Sequence, residues 1–467
     1  MTDATFKRRS QDGWVDALAE MRERQAYMRA SALNVPGHSH HQHRGSEPTV
    51  HRYLRALLDP GSFAEASSIA GKPLYDTESA TIMGFTPPNS ITGWGAVQGR
   101  RVFLTADDSS LVGGPADGSM MQKLAYGEFL ARQLRVPLIR LLDNVGDGIF
   151  GPQHGPAELP TLPFAGLGQS VDPNVIVPVC SAILGPAAGL GAVKAFTGHF
   201  TVMVANPAQS WQVHAASGTV DNIARSEADA FAQIRTFLSF LPSIIFTLPP
   251  VGPCVDPPSR RIPELQRPRA AASDVRRLIS MIVDRTSPAE APFFELGAAY
   301  GSGTVTAFAR LAGRPVGILA NDARMGAIDA NGAQKTSRFL KLCEHFGIPV
   351  LRLVDQPALP DAERAAFFRH EAYATAALHN TIVPMFAVVI RRAPGSSEPV
   401  ATTTPRVYWP SEDWGGARPS ADAMIDPQNT RMKICEWAAH AYTSALPKLL
   451  AARQAQFDPA GGRPAKL

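Results

Sequence analysis

Two glycine-containing segments follow apolar, strand-like stretches in the first half of the chain, and both have the composition of a ligand-binding turn. One reads DNVGDG at residues 143–148, and the other reads GPAAGLGAV at residues 185–193. Glycine lets the backbone approach a ligand closely, and the N–H groups at the start of a helix can stabilise a negatively charged oxygen. Spacing alone is equally consistent with this chemistry and with tight turns that only pack a helix against a strand.

Several titratable side chains are candidates for acid–base chemistry, although a structural or surface role is the more frequent one for any single histidine. These candidates are Asp147, His154, His199, His214, His370 and His379. A histidine-rich tract at residues 37–48 could bind a metal, but a solvated loop explains it more simply. The four cysteines are scattered without a CxxC motif, which excludes a zinc ribbon and is typical of reduced thiols in a cytoplasmic protein.

The elements that would position these residues occur twice along the chain. The segment GRRVFLTADD at residues 99–108 is similar to GRPVGILAND at residues 313–322, and each precedes a helix-like stretch, at 122–134 and 334–346. Apolar strands follow at 136–143 and 348–355, and a third pair begins with VPV at 177 and VPM at 383. We therefore expect two related α/β halves, at about 50–250 and 270–465, joined by a proline-rich linker at 248–269.

Local patterns predict the elements around this repeat. Apolar spacing predicts helices over residues 11–33 and 50–65, the second ended by Asp59-Pro60-Gly61. Alternation from Ile91 to Val97 predicts a strand, followed by a hairpin turn at residues 98–101 and a second strand at 102–106. A further strand is predicted at 175–183, before the glycine-containing segment that begins near residue 184.

Composition limits the class of function. The chain has 467 residues, 45% of them hydrophobic and 18% charged, and a formal net charge of +4. These values are typical of a globular protein with two or three domains, and they give no support to bulk nucleic-acid or membrane binding. No apolar run reaches the length of a transmembrane helix and no signal core opens the sequence, so we expect a cytoplasmic protein.

Short motifs in both halves are similar to those of a known family. The first half contains LLDPGSF at residues 57–63, GWGAVQGR at 93–100 and the GPAAGLGAV segment, which resembles a GPCAGGAVY turn. The second half contains GRPVGILAN at 313–321, VDQP at 354–357, RH at 369–370, and IDP at 425–427 with TR at 430–431. Together they resemble the carboxyltransferase (β) subunits of biotin-dependent acyl-CoA carboxylases, of the propionyl-CoA and methylcrotonyl-CoA carboxylase type in the crotonase superfamily.

This resemblance implies an α/β fold of two tandem crotonase-type (ClpP/crotonase-like) β-β-α superhelix domains. Residues 1–255 would form an acyl-CoA domain with a leading helix, and residues 256–467 a shortened biotin-side domain. The enzyme would transfer a carboxyl group from carboxybiotin to the α-carbon of an acyl-CoA through an enolate held by backbone amides. The implied residues are Gly189 and Leu190 for the enolate, Ser396 and Ser397 for biotin, Gly146, Asp147, Gly148, Gly185, Pro186, Ala188 and Gly191 for the substrate, and His154 and His370 for acid–base chemistry.

The resemblance also implies partners. The substrate would be an acyl-CoA or an acyl-carrier thioester, and the shared site of the family implies a homo-oligomer that is at least a dimer. The chain contains no AMKM-like biotinylation motif, so biotin would arrive as carboxybiotin on a separate carrier served by a separate biotin carboxylase.

Departures from the family leave a second function open. The turns at residues 145–149, 355–359 and 393–398 differ from SGGAR, DVPGF and AYGGAY, and only a short stretch separates Trp409-Pro410 from residue 425. Most of these changes fall in the biotin-side half. The alternative is a biotin-independent crotonase-fold enzyme that performs decarboxylation, acyl transfer or carbon–carbon bond formation on a CoA or carrier-protein thioester in specialised metabolism.

Overall fold

The structure of the chain is a computed structural model. It describes residues 14–15, 17–22, 49–67, 72–75, 82–86, 90–107, 118–144, 175–187, 189–206, 210–265, 274–285, 292–325, 328–356, 372–392, 404–410 and 423–457. Residues 14–15 and 17–22 are helical, as predicted for that part of the leading helix. The histidine-rich tract lies outside the described residues.

The chain divides into two compact units. The first contains residues 1–175 and 179–198, and the second contains residues 176–178 and 199–467. Within the first unit, strands run in the order β1-β4-β5-β6-β7, antiparallel as far as β5 and parallel from β5 to β7. Its elements are α1 (Thr49–Leu57), β1 (Ala64–Ala66), β2 (Lys72–Tyr75), β3 (Ile82–Thr86), β4 (Ser90–Val97), β5 (Arg100–Asp107), α2 (Gly118–Gln133), β6 (Leu138–Asn144), β7 (Val179–Ala187) and α3 (Gly189–Phe196).

The second unit holds a sheet in the order β10-β11-β12-β13-β14-β15, antiparallel as far as β12 and parallel beyond it, together with the parallel pair β8–β9. Among its described residues, 3-10 turns (Pro263–Leu265, Ala323–Met325, Pro427–Asn429) and a π-helical turn (Ala441–Ala445) interrupt the longer elements. These are β8 (Phe200–Val204), α4 (Trp211–Ala216), β9 (Asn222–Ala224), α5 (Glu227–Phe240), α6 (Val275–Ile282), β10 (Phe293–Leu296), β11 (Thr304–Leu311), β12 (Arg314–Asn321), α7 (Ala330–Phe346), β13 (Val350–Gln356), α8 (372–380), β14 (Met385–Arg392), β15 (Arg406–Tyr408), α9 (Thr430–His440) and α10 (Leu446–Phe457).

An apolar core lies within the second unit. Helices α6 and α9 pack with strands β11 to β14, because each presents a stripe of apolar side chains at helical spacing to the alternating inward positions of the strands. The buried members include Ile279, Val305, Ile318, Leu351, Val388 and Ile434.

The element order of the first unit recurs in the second, and so does a specific contact. Asp59 accepts hydrogen bonds from the backbone N–H groups of Gln98 and Gly99, at 2.9 and 2.7 Å. Asp284 accepts from Ala312 and Gly313 in the same way, at 2.8 and 2.7 Å. Each carboxylate follows a helix, α1 or α6, and holds a two-residue turn whose positive φ angles suit a β-hairpin.

The repeat therefore exists in the structure as well as in the sequence. The helices α1 and α6 even bury the same spacing of residues, i, i+3, i+4 and i+7: Val50, Tyr53, Leu54 and Leu57 in one, and Val275, Leu278, Ile279 and Ile282 in the other. The division into domains at residues 1–255 and 256–467 stays a prediction.

The two copies differ in how their first crossover helix meets the sheet. At Gly127 on α2, an added Cβ would lie 2.8 Å from a ring carbon of Phe103 on β5. In the second half Gly317 takes the position of Phe103 and Phe339 takes the position of Gly127. A Cβ on Gly317 would lie 3.1 Å from the Phe339 ring. In the first half the aromatic ring is on the strand and the glycine is on the helix. In the second half the glycine is on the strand and the aromatic ring is on the helix.

Two local predictions are corrected. The strand predicted at residues 175–183 runs instead from Val179 to Ala187, so Gly185 and Pro186 lie on the strand rather than in a turn. Pairing with β6 continues to Asn144↔Ala187 across a register shift, which extends β7 past the glycine and the proline. The helix expected over residues 50–65 ends at Leu57 and is followed by β1.

The proline-rich linker is also more ordered than expected in its described part, residues 248–265. Asp256 is 7% exposed and forms hydrogen bonds with Arg260 at 2.7 and 3.0 Å. Arg431, which is fully buried, donates to Asp284 at 2.7 Å and to the backbone oxygen of Asp256 at 3.0 Å. This segment is packed into the second unit because its carboxylate is needed to balance buried guanidinium groups.

Candidate active site

Two aspartates and a glycine lie at one edge of the first sheet, near the ends of the parallel strands β5, β6 and β7. Asp107 ends β5, Asp143 is one residue from the end of β6, and Gly185 lies near the end of β7. In open α/β sheets, ligands bind beyond the carboxyl ends of parallel strands. This edge is therefore the candidate site of the first unit.

A close approach fixes the end of β7. The Asp143 carboxylate lies where a Cβ on Gly185 would be placed, so only glycine fits at that position. The hydroxyl of Tyr53 donates to Asp143 Oδ2 at 3.1 Å, and this pair is buried. The turn at residue 143 was singled out from the sequence, but Tyr53 was not, because the two residues are 90 positions apart.

Helix α3 begins two residues after β7 ends, with Gly189 as its first residue. Gly189, Leu190 and Gly191 form its first turn, and the first four N–H groups of a helix have no acceptor within the helix. Such groups attract an anion, aided by the helix dipole. The structure thus brings the predicted enolate-binding amides to a helix start at the strand edge, while their role stays a prediction.

Hydrogen bonds also connect the last turn of α3 to the sheet. Arg140 on β6 donates to the backbone oxygen of Lys194 at 2.7 Å, and both Arg140 and Lys194 bond Glu128 on α2 at 3.2 Å. All three residues are buried. Sequence reasoning missed this network, since its members are separated by 12, 54 and 66 positions.

The corresponding edge of the second unit is lined by ion pairs. Arg391 on β14 donates from Nε to Asp355 Oδ1 on β13 at 2.9 Å. Burial raises the pKa of Asp355, although Arg391 opposes the shift. Next to it along the sheet edge, hydrogen bonds from Arg324 lower the pKa of Asp322 despite its burial, and Arg276 donates to the same carboxylate at 2.7 Å. The Arg391–Asp355 pair and the arginine-paired Asp322 make this edge strongly polar.

Many predicted site residues lie outside the described residues: Gly146, Asp147, Gly148, His154, Ala188, His370, Ser396 and Ser397. Their roles stay predictions. Of the other named side chains, Gly185 is buried and Pro186 is exposed. His199 stacks on His345 with ring centroids 5.3 Å apart and meets the Phe346 ring edge-on. His214 lies in the last turn of α4, and His379 is exposed on α8.

The described part of the chain contains no group of three or more His, Cys, Asp or Glu side chains that could hold a metal ion. None of its helices has both the length and the apolar character needed to cross a bilayer.

Comparison with known families decides the identity of this scaffold. The carboxyl transferase domain family matches residues 40–211 and 207–406, well over half of the chain. The chain belongs to the carboxyl transferase domain family. Among curated relatives, the mitochondrial propionyl-CoA carboxylase beta chain of Sus scrofa is 29% identical over 396 residues, covering 78% of this chain and 72% of that protein.

Two further matches extend over more of the chain. The methylmalonyl-CoA decarboxylase subunit alpha of Veillonella parvula is 26% identical over 469 residues, covering 91% of this chain and 90% of that one. A crystal structure of transcarboxylase 12S, described as a hexamer with hydrolyzed methylmalonyl-coenzyme A bound, superposes with a TM-score of 0.70. That match has 24% identity and covers 98% of each chain, so it supports the fold alone.

The predicted crotonase-type α/β fold and the membership in the carboxyl transferase family are confirmed. This carboxyl transferase is an enzyme of the acyl-CoA carboxylase β-subunit type, as predicted. The comparisons do not favour the biotin-independent alternative.

Proposed function

We propose that this carboxyltransferase moves the carboxyl group of carboxybiotin to the α-carbon of a short acyl-CoA, with the enolate oxygen held by the N–H groups of Gly189 and Leu190. The observation that carries the proposal is the start of α3 two residues beyond the end of β7, at a strand edge that the Asp143–Gly185 contact fixes. The short acyl chain is proposed because relatives are named for propionyl-CoA and methylmalonyl-CoA.

The proposed chemistry requires stabilisation of one negative charge. When the thioester loses its α-proton, charge develops on the carbonyl oxygen, and two backbone N–H groups in a water-excluded site stabilise it. Bound carboxybiotin would supply the rest of the chemistry, its ureido nitrogen exchanging the carboxyl group for the proton that the α-carbon lost. His154 and His370 remain the proposed acid–base side chains.

The biotin side is proposed to lie at the C-terminal edge of the second sheet. A ureido ring needs hydrogen-bond donors for its oxygen and an acceptor for its N–H, and Arg391 and Asp355 are groups of those two types. Ser396 and Ser397 are proposed to supply backbone donors to the ureido oxygen. When bound, carboxybiotin supplies the carboxyl group.

The partners are proposed on the same basis. We expect a separate biotin carboxylase and biotin carrier, and a homo-oligomer that is at least a dimer. The relatives support these partners, because they are named as chains or subunits of carboxylases and a decarboxylase. The proposed location is the cytoplasm, in keeping with four cysteines that are all free thiols.

The first test is a substrate panel. The purified protein is incubated with acyl-CoA and malonyl-type thioesters, with and without free carboxybiotin, and product masses are followed. Carboxylation that requires carboxybiotin is the expected result. Turnover without biotin would overturn the proposal in favour of other enolate chemistry on the same scaffold.

A proline substitution, which removes a backbone N–H group, tests whether the N–H of Gly189 stabilises the enolate oxygen. Proline is tolerated at the first position of a helix but lacks an N–H, so Gly189→Pro should leave α3 formed and remove one donor. We expect kcat to fall about 100- to 1000-fold. Gly189→Ala, which keeps the N–H, is the matched control and should retain most of the activity. Unchanged kcat in Gly189→Pro would contradict the assignment.

A further inference from the structure

Three of the charged side chains that the first unit buries form one cluster, and the proposed reaction does not use them directly. Glu128 lies on α2, Arg140 on β6 and Lys194 on α3, and these residues are 2%, 2% and 7% exposed. Transferring charged groups out of water is unfavourable unless they are paired and hydrogen-bonded. The burial of these three charged side chains therefore requires a compensating interaction or a functional explanation.

Hydrogen bonds join the three side chains into one network. Arg140 donates from Nε to Glu128 Oε1 and from Nη2 to Glu128 Oε2, both at 3.2 Å. Its remaining nitrogen, Nη1, donates to the backbone oxygen of Lys194 at 2.7 Å. Lys194 Nζ completes the network by donating to Glu128 Oε1 at 3.2 Å. A rigid guanidinium thus bonds the side chain of one helix and the main chain of another.

Stability of the fold is a weak explanation for the network. Buried ion pairs are often no more stabilising than apolar side chains of similar volume. The internal repeat makes the comparison within one chain, because Arg352 stands where Arg140 stands, whereas Leu340 stands where Glu128 stands. Leu340 is fully buried. The equivalent strand and helix of the second half therefore form without a carboxylate at the position that corresponds to Glu128.

The network instead acts on the position of α3. Lys194 follows Gly189 by five residues, about 7.5 Å along the axis of a helix that has only eight residues. It is held through both its side chain and its backbone oxygen. Because a short helix moves as a rigid body, a shift at Lys194 would displace the N–H groups of the first turn.

We infer that Glu128, Arg140 and Lys194 are positioning residues, which set the place of the first-turn N–H groups of α3 relative to the enolate oxygen. The inference rests on the proposed function of those amides. Since the amides stabilise charge that develops only in the transition state, loss of the network should lower kcat and leave thioester binding nearly unchanged.

The test uses matched variants at repeated positions. Arg140→Lys keeps the positive charge but cannot bond both Glu128 oxygens and the Lys194 backbone oxygen. Arg352→Lys makes the same change on the equivalent strand, at a residue that is 3% exposed. For the full-length protein, kcat and KM are measured with acyl-CoA and carboxybiotin, and affinity for an unreactive thioester is measured by calorimetry.

We expect kcat of Arg140→Lys to fall about 100-fold, as displacement by about 1 Å can cause. Thioester affinity should stay within about threefold, and Arg352→Lys should keep wild-type kcat within about threefold. Circular dichroism melting checks that each variant folds. Should Arg140→Lys not fold, Lys194→Met provides the second variant, with kcat lowered about 10-fold and recovered in Lys194→Arg.

Two results would overturn the inference: kcat within threefold of wild type in both Arg140→Lys and Lys194→Met, or equal losses in Arg140→Lys and Arg352→Lys. Each would leave the proposed function intact, because the wild-type protein would still carboxylate its substrate. A wild-type protein that carboxylates no thioester would instead overturn the proposed function, and the positioning role with it.

Discussion

The carboxylate of Asp143 fills the space next to Gly185 that any larger residue would need for its side chain. Tyr53 holds this carboxylate in place from α1. A residue next to the end of β6 thereby determines which residue fits near the end of β7, and the proposed enolate-binding helix begins two residues after β7 ends.

Substitution of Gly185 by alanine should therefore disturb the strand end. A methyl group there meets the Asp143 carboxylate, and such overpacking costs about 1–3 kcal/mol of stability. Urea unfolding measures the loss, and kcat should fall with it because the start of α3 is displaced.

A double-mutant cycle separates the close contact from other effects. Asp143→Ala makes room for the added methyl group, so Gly185→Ala should be less harmful in that background. Additive losses in the double variant would show that the two side chains do not compete for the same space.

The two hairpin carboxylates should differ in their contribution to stability. Asp284 is 5% exposed and is one of two carboxylates that pair with the buried Arg431, so Asp284→Asn should cost about 3 kcal/mol by leaving that charge with Asp256 alone. Asp59 bonds its turn at a more exposed place, and Asp59→Asn should cost about 1 kcal/mol. Equal shifts in the urea midpoint would contradict this difference.

Lys335 should make stability depend on pH in the alkaline range. Burial lowers its pKa from 10.5 to about 8, against an opposing effect of Glu295. Below pH 8 the ammonium is charged in both states, and the folded state bears the penalty of burying it. As pH rises from about 8 to 10.5, the unfolded state holds a proton that the folded state has lost, so the free energy of unfolding rises, by ~3 kcal/mol.

The Lys335→Met variant should lose that rise when unfolding is followed by urea at several pH values. Lys341→Met removes an exposed ammonium from the same helix and should keep the wild-type profile. A wild-type slope retained in Lys335→Met would contradict the assignment.

Of the four cysteines, only one should react with a thiol reagent in the native protein. Cys254 is exposed, whereas Cys180, Cys343 and Cys435 are buried. Burial and the nearby Asp284 raise the pKa of Cys254, so we expect slow labelling by Ellman's reagent at one site in the native protein. Cys254→Ser should abolish this native signal, and denatured wild-type protein should show four sites.

Local patterns account for what the sequence predicted well. The apolar spacing of α1, the positive-φ turn at Gln98-Gly99 and the repeated LIRLLD-type strands depend on residues close together in the chain. The repeat then carried those assignments into the second half. The motifs identified the family because several of them occur in order.

Contacts between distant residues could not be read from the sequence. Gly185 and Pro186 favour a turn locally, yet pairing with β6 keeps them on a strand. His199 was a candidate for acid–base chemistry, but its stacking on His345 depends on the folded chain. The Glu128–Arg140–Lys194 network gave no local signal for the same reason.

The aromatic ring and the glycine that faces it are on opposite elements in the two halves of the chain. This difference restricts which helices and strands of the two halves can be combined in a chimera. Grafting α2 onto the second sheet would set Gly127 opposite Gly317 and leave a void, whereas grafting α7 onto the first would press Phe339 against Phe103. A chimera can keep its core only if strand and helix are transferred together. Each strand–helix pair is therefore a unit that can be exchanged between proteins only as a whole.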